Sequence, residues 1–339
     1  MGDVPCYRAN HHKMSAFSHG DARLLPLEGK RIGNTNTARI PEEYLQLLLP
    51  NANVHYWQEG QVYVLSQHMV LGVYSLWIHD VVADGAQDIL PYVPHPLYTL
   101  HYMFESGLDV RVPDSEPFRL EEDTCNLFYL EPGVSRLPLE EDLKALSVLI
   151  NILPEHISAL TADFPDLHKR LQQHRSGNQV INKQPFTVTT VNRMLISKIL
   201  TCRYLRDDAA VFLERCCADL FRIFCRQYNV AMVVPPAEND NYNKVFEYMR
   251  TYPHARCDLR YFSRMFHIPE HEIEAGFLSY FAISIYDCNH MLKMMTAFDL
   301  IIQHGQSFGD IAVRVGMETE KMVHAIEAYY NIRVAAQRN

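Results

Sequence analysis

The chain has 339 residues, 48% of them hydrophobic, and a formal net charge of −9 at pH 7. That length suggests roughly two or three domains, and the apolar share allows sizeable cores, which excludes a mostly disordered chain. The negative balance excludes a general attraction to phosphate or anionic lipid, so a nucleic-acid partner has to be argued from pattern. Eight cysteines are scattered without a C-x-x-C pair, a usage that fits a reducing compartment better than a disulfide scaffold. The opening MGDVPCYRANHHKM lacks the apolar core of a signal peptide, and no apolar run of about 18 residues occurs. A soluble, cytoplasmic protein is expected, with no membrane partner.

Residues 1–53 are weakly patterned, and no structure is assigned there. From Gln61 the character turns to strands. Val62-Tyr-Val-Leu-Ser66 and the run Met69 to His79 are rich in β-branched and aromatic residues. The run Leu97 to Val112 carries a Ser106-Gly107 turn between apolar stretches, and Phe118 to Leu130 ends before the turn pair Pro132-Gly133. Short strands at close spacing predict a small sandwich or barrel.

Near Pro154 the pattern becomes helical. PEHISAL from Pro154 and PDLHKRLQQ from Pro165 each place proline in a first helical turn. Ser176 to Pro185 is polar, contains Gly and Pro, and reads as a linker or long loop. A helix over 187–204 carries Val191, Leu195 and Ile199. A second starts at Asp207 or Asp208 and runs to about Tyr228, with Phe212, Cys216, Leu220 and Phe224 on one stripe. Such a stripe reads as a paired-helix core or a dimer face rather than a ligand site.

Val233 to Asp240 marks a second boundary, beyond which short helices are predicted over 240–252, 258–266, 269–281, 285–303, 308–315 and 319–330. A short helix, a turn and a second helix occur at 258–277 and again at 308–326, with a longer helix between. The stretch Ile268-Pro-Glu-His-Glu-Ile-Glu-Ala-Gly-Phe277 has Ile273 and Phe277 on a buried stripe. Its outward positions carry Glu270, Glu272 and Glu274, and no cation.

These hundred residues resemble the DNA-binding module of the AraC/XylS family of bacterial transcription regulators. In the first unit the matching residues are Phe262-Ser263, then His267, Ile268 and Pro269, with Ile273 and Phe277 at the reading helix's buried positions. The linking helix matches at Leu292, Ala297, Leu300 and Ile301, and Lys293 takes the usual arginine position. The second unit, Phe308-Gly-Asp-Ile-Ala-Val-Arg-Val-Gly-Met317, matches more closely, with Gly316 at the tight turn. Met322, Ile326, Tyr330 and Asn331 then reproduce the family's spacing if one residue is missing after Gly316. Upstream, His101 to Gly107, Asn126 to Leu130 and Leu137 to Leu149 resemble the family's cupin-like sensor, in the form common in Bacteroidetes regulators. The resemblance covers about 55 to 338.

It implies an α+β chain: a β-rich cupin-like sensor domain over 1–153, a helical linker and dimerisation region over 154–234, and an all-α double helix-turn-helix domain over 239–339. It also implies promoter DNA as partner, an unknown small-molecule effector, and a homodimer. The DNA contacts it implies come from Arg314, Thr319, Lys321 and His324, together with His271 and Lys293. Against that stands the charge: over 239–339 ten Lys and Arg face twelve Asp and Glu, a net of −2, where phosphate contacts need cations or backbone donors. A degenerate paralogue, acting as a ligand sensor or protein-interaction module without DNA contact, is the competing reading.

Trp57, Trp77, Tyr98, Tyr102 and Phe104 are candidates for an aromatic ligand wall, with plain core as the competing reading. His95, His101 and Glu105 are the nearest approach to a cupin metal set, but their spacing is wrong, and no metal or cofactor is expected. No G-x-S-x-G, P-loop or dinucleotide fingerprint occurs, and no catalytic function is expected.

Overall fold

In a computed structural model of the chain, the described residues are 24–28, 40–110, 118–173, 177, 179–182, 184–229, 241–304 and 306–333. The architecture is mixed: a β-rich N-terminal region with several sheets, followed by helices. The expected boundary at 233–240 lies wholly outside the described residues.

The first strand is β1 (Leu24–Pro26), followed by a 3-10 helix at Glu42–Leu47 and the strands β2 (Asn53–Glu59), β3 (Val62–Leu71), β4 (Tyr74–Ala83), β5 (Gln87–Val93) and β6 (Leu97–Met103). A small hairpin, β7 (Leu108–Val110) with β8 (Phe118–Leu120), precedes β9 (Thr124–Leu130), β10 (Gly133–Val134), β11 (Leu137–Leu139) and β12 (Leu143–Ile152). The large sheet runs β9-β6-β12-β4-β3-β2, all antiparallel. A smaller sheet is built on β5, which pairs β1 in parallel and β10 and β11 antiparallel. The β3–β4 hairpin closes in two residues, Gly72-Val73, with Gly72 at φ 59, the positive value such a turn requires.

Both faces of the large sheet are covered, so its strands do not read as apolar on one side and polar on the other. Along β4, Tyr74, Leu76 and Ile78 join a core shared with the helices, whereas Val81 and Ala83 join a second core between the two sheets. β6 splits the same way, with Tyr98, Leu100 and Tyr102 facing the helices and the alternate residues Thr99, His101 and Met103 facing inward.

After α1 (Pro154–Leu160) and α2 (Pro165–Gln172), each with proline in its first turn, two further strands appear: β13 (Gln179–Val180), where a linker was expected, and β14 (Phe186–Thr187), just beyond it. Both pair with β9. The polar composition misleads because Asn182, 1% exposed, donates to Asn126 Oδ1 at 2.9 Å and accepts from the Leu127 N–H at 2.8 Å. It is a buried strut rather than a solvated loop residue. α3 (Thr190–Leu200) is shorter than expected, because β14 takes its first residues and a Thr189–Asn192 capping box fixes its start.

α4 (Arg206–Asn229) lies across the helix-facing side of the sheet. Phe212, Cys216, Leu220 and Phe224 are 2% exposed or less. The stripe is therefore a core within one chain and leaves no open dimer face; a homodimer needs another surface. The helices α5 (Asn241–Thr251), α6 (Leu259–Phe266), α7 (Glu270–Phe281), α8 (Ile285–His304), α9 (Phe308–Val315) and α10 (Thr319–Tyr330) fall where periodicity put them. They pack onto α4 through a run of rings: Tyr204 to Phe212 at 4.9 Å, Phe212 to Phe298 at 5.8 Å and Phe298 to Tyr330 at 4.5 Å. Among the described residues no helix is long and apolar enough to cross a membrane.

Candidate functional site

Two places stand out among the described residues. The first is a cavity of about 310 Å³ between the two sheets. Its wall is mostly aliphatic, from Leu25, Val81, Ile89, Leu137 and Leu149 among others, and the large sheet contributes four polar side chains: His79, Thr99, His101 and Ser147. An apolar wall with a few convergent polar groups is the usual form of a small-molecule site. The strands fix these groups rigidly. Ser66 Oγ bonds His79 Nδ1 at 2.9 Å, and the His79 ring stacks near Trp77 at 5.5 Å. Thr99 donates to Asn151 Oδ1, whose amide in turn donates to Glu28 Oε2 at 3.0 Å, tying the β1 segment across one end.

His101 is one of these four. It lines the cavity, and its Nε2 is excluded from solvent with no hydrogen-bond partner. Burial lowers its pKa to about 4, so near neutral pH it stands uncharged, able to donate or accept according to tautomer. An orphaned polar atom on a cavity wall is what a ligand's hydrogen-bonding group would satisfy.

None of the five aromatic candidates lines this cavity. Tyr98, Tyr102 and Phe104 belong to the helix-facing core, where the Tyr102 hydroxyl donates to the Leu220 carbonyl at 3.3 Å. Trp57 and Trp77 are 2% and 0% exposed; Trp77 stacks on His68 at 4.3 Å. The polar residues that do line it alternate with the tyrosines along the same strand, and strand periodicity alone cannot say which face is hollow. His95, His101 and Glu105 do not converge either: Glu105 pairs with Lys144 at 2.9 Å. Among the described residues no cluster of three possible metal ligands occurs.

The second place is the turn between α9 and α10. Ser307 caps α9, its Oγ accepting from the Asp310 N–H at 3.2 Å, and Gly316 ends the helix in the left-handed region at φ 64. A Cβ on Gly316 would stand 2.2 Å from the His254 carbonyl oxygen, so the α5–α6 loop presses directly on this turn. We expect Gly316→Ala to cost about 2 kcal/mol or more, from left-handed strain together with displaced backbone. Urea denaturation checks this, and an unchanged midpoint would refute the close approach.

That approach brings Arg256 beside Lys321 on the rim of the turn. Arg314, Thr319, Lys321 and His324 are exposed, as is His271. Arg256 and Arg314 have no ion-pair partner among the described residues, whereas Lys321 pairs with Glu318 at 2.9 Å and Arg260 with Glu270 at 3.6 Å. α10 begins without a side-chain cap, so its first N–H groups remain available to an anion.

Lys293 is corrected. It is 8% exposed, burial lowers its pKa, and its Nζ donates to the Val315 carbonyl at 2.8 Å, closing the end of α9 rather than facing outward. Arg256 was missed, because it lies 60 residues before the turn it serves and no local pattern links the two.

No family model matches the chain, and no curated protein matches it. Among solved structures it is similar to apo ToxT from Vibrio cholerae, at 10% identity over 76% of this chain and 94% of that one, with a TM-score of 0.33. It is similar also to the AraC-like transcriptional activator CuxR, at 12% identity over 75% and 86%, with a TM-score of 0.32. Protein NMB1881 from Neisseria meningitidis aligns over 29% of this chain and 87% of its own, at 17% identity and a TM-score of 0.20.

Proposed function

We propose that this chain is an AraC-like transcription regulator, in which a cupin-like sensor holds a small-molecule effector and a double helix-turn-helix region meets promoter DNA. On this reading the sensor spans 1–153, the linker 154–234 and the DNA-binding part 239–339. The observation that carries it is the α9–α10 pair. A capped helix, a glycine turn and an uncapped second helix place Lys321 beside Arg256 of the α5–α6 loop, with Arg314 in a neighbouring depression that shares Val313, cations of the kind that a reading helix and its phosphate clamps use. The cavity between the sheets, with its orphaned His101 nitrogen, is the effector site on the same reading.

The α6–α7 pair plays a different part. α7 keeps the buried stripe Ile273, Phe277 and Phe281, while Glu270, Glu272 and Glu274 face solvent. This helix repels phosphate, and the second pair does the binding.

The test is a titration of the purified chain against a random-sequence DNA pool at two salt concentrations. Motif enrichment with steep salt dependence supports the reading, and Arg256→Ala is expected to lower the salt slope by about 1. Glu272→Lys combined with Glu274→Lys is expected to strengthen non-specific binding without loss of fold; unchanged affinity at low salt would refute the repulsion. The acidic face and the Glu318–Lys321 pair favour a second reading, a sensor or protein-interaction module without DNA contact. Absence of binding even at low salt would establish that reading instead.

A further inference from the structure

A second cavity, of about 260 Å³, opens where α4 meets α8 and α10. Three arginines line it, Arg215, Arg222 and Arg226, spaced seven and four residues apart and so on one face of α4. Two have carboxylate partners. Arg215 pairs with Asp219, and Arg226 Nη2 lies 2.8 Å from Asp287 Oδ2. Arg222 is exposed at the cavity and has no ion-pair partner among the described residues.

Three guanidinium groups against two carboxylates leave the lining one positive charge in excess. The remaining titratable groups, His290 and Tyr329, do not offset this: burial, then the Arg215 charge, lower the His290 pKa and favour its neutral form, and burial raises that of Tyr329 and keeps its hydroxyl protonated. Despite partial burial, Asp287 is held below the ordinary carboxylate range by its bond and charge attraction to Arg226, by the Ser284 hydroxyl and by the Arg222 charge. Guanidinium forks recognise tetrahedral oxyanions bidentately, and several converging on a half-enclosed space suit a group with more than one terminal oxygen.

We propose that this cavity is a binding site for a phosphoryl group, free or as the monoester of a small metabolite, held chiefly by Arg222 and Arg226. The site stands whether or not α10 meets DNA, because it depends only on the lining of this cavity.

The experiment is calorimetric titration of the full chain with inorganic phosphate and, separately, glucose 6-phosphate, with ionic strength held constant by chloride. Saturable binding is expected, and Arg222→Gln, an exposed change that spares both ion pairs, is expected to weaken it about tenfold. Asp287→Asn, which removes a competing carboxylate, is expected to tighten it. Tighter binding of the ester assigns the site to a metabolite, and equal or tighter binding of inorganic phosphate assigns it to the free ion. No saturable binding of either probe to the wild-type chain, or equal binding to Arg222→Gln, overturns the proposal.

Discussion

Asp219→Ala is expected to lower the unfolding free energy by about 3 kcal/mol, because it strands a guanidinium that is mostly removed from water. Asp219 is 6% exposed and accepts from three directions: Arg215 Nε at 3.2 Å, Arg215 Nη2 and the Tyr329 hydroxyl. Burial disfavours the Arg215 charge, but the Asp219 carboxylate outweighs it and raises the pKa overall. Arg215 also lies 3.9 Å over the Tyr329 ring and donates to the Tyr329 carbonyl at 3.2 Å. The pair thus fastens the end of α10 to α4. Replacing both partners by apolar residues, Arg215→Met with Asp219→Leu, is expected to recover most of the loss, since no unpaired charge remains. Chemical denaturation of the three variants checks this, and a double variant as unstable as Asp219→Ala alone would mean that packing rather than the stranded charge sets the cost.

His101 makes stability depend on acidity in a defined window. Above pH 6.5 the side chain is neutral whether the chain is folded or not, and it contributes no pH dependence. As pH falls from 6.5 to about 4, the unfolded chain takes up a proton that the buried ring in the folded chain refuses. Stability therefore drops with falling pH across that window, by about 3 kcal/mol from this group alone. Below it both states are protonated and the dependence ends. His68 and His290 are also lowered by burial and slope the same way, so the quantity to read is the difference between the wild-type chain and His101→Gln. Denaturation midpoints at pH 7 and pH 4.5 are expected to separate less in the variant. An identical separation would show that His101 does not stand neutral against the cavity.

The helices of the C-terminal region were legible because each buries one stripe. Ile273 with Phe277 and Met322 with Ile326 keep helical spacing, and the turns fall at Pro269 and Gly316, where chain chemistry breaks the helix. The β-rich region was legible as strands but not as faces. Covered on both sides, the large sheet gives no apolar–polar alternation to mark its hollow side, so Tyr98 and Tyr102 were taken for a ligand wall while Thr99 and His101 line the cavity. Polar residues misled in a consistent way. Asn182 reads as loop and Lys293 as a DNA contact, yet each is buried and pays its desolvation with a hydrogen bond that only the folded chain supplies. Arg256 joins the α9–α10 turn by tertiary approach alone.

The alternation along β6 has a mechanical side. His101 and Tyr102 are consecutive, one turned to the cavity and the other bonded to the backbone of α4. Between a molecule in the cavity and the helix that carries α10 there is thus a partition one peptide thick. A close-packed interior transmits displacement rather than absorbing it, so an occupant that shifts this strand leans on α4 through the same residue pair, with no lid or hinge intervening.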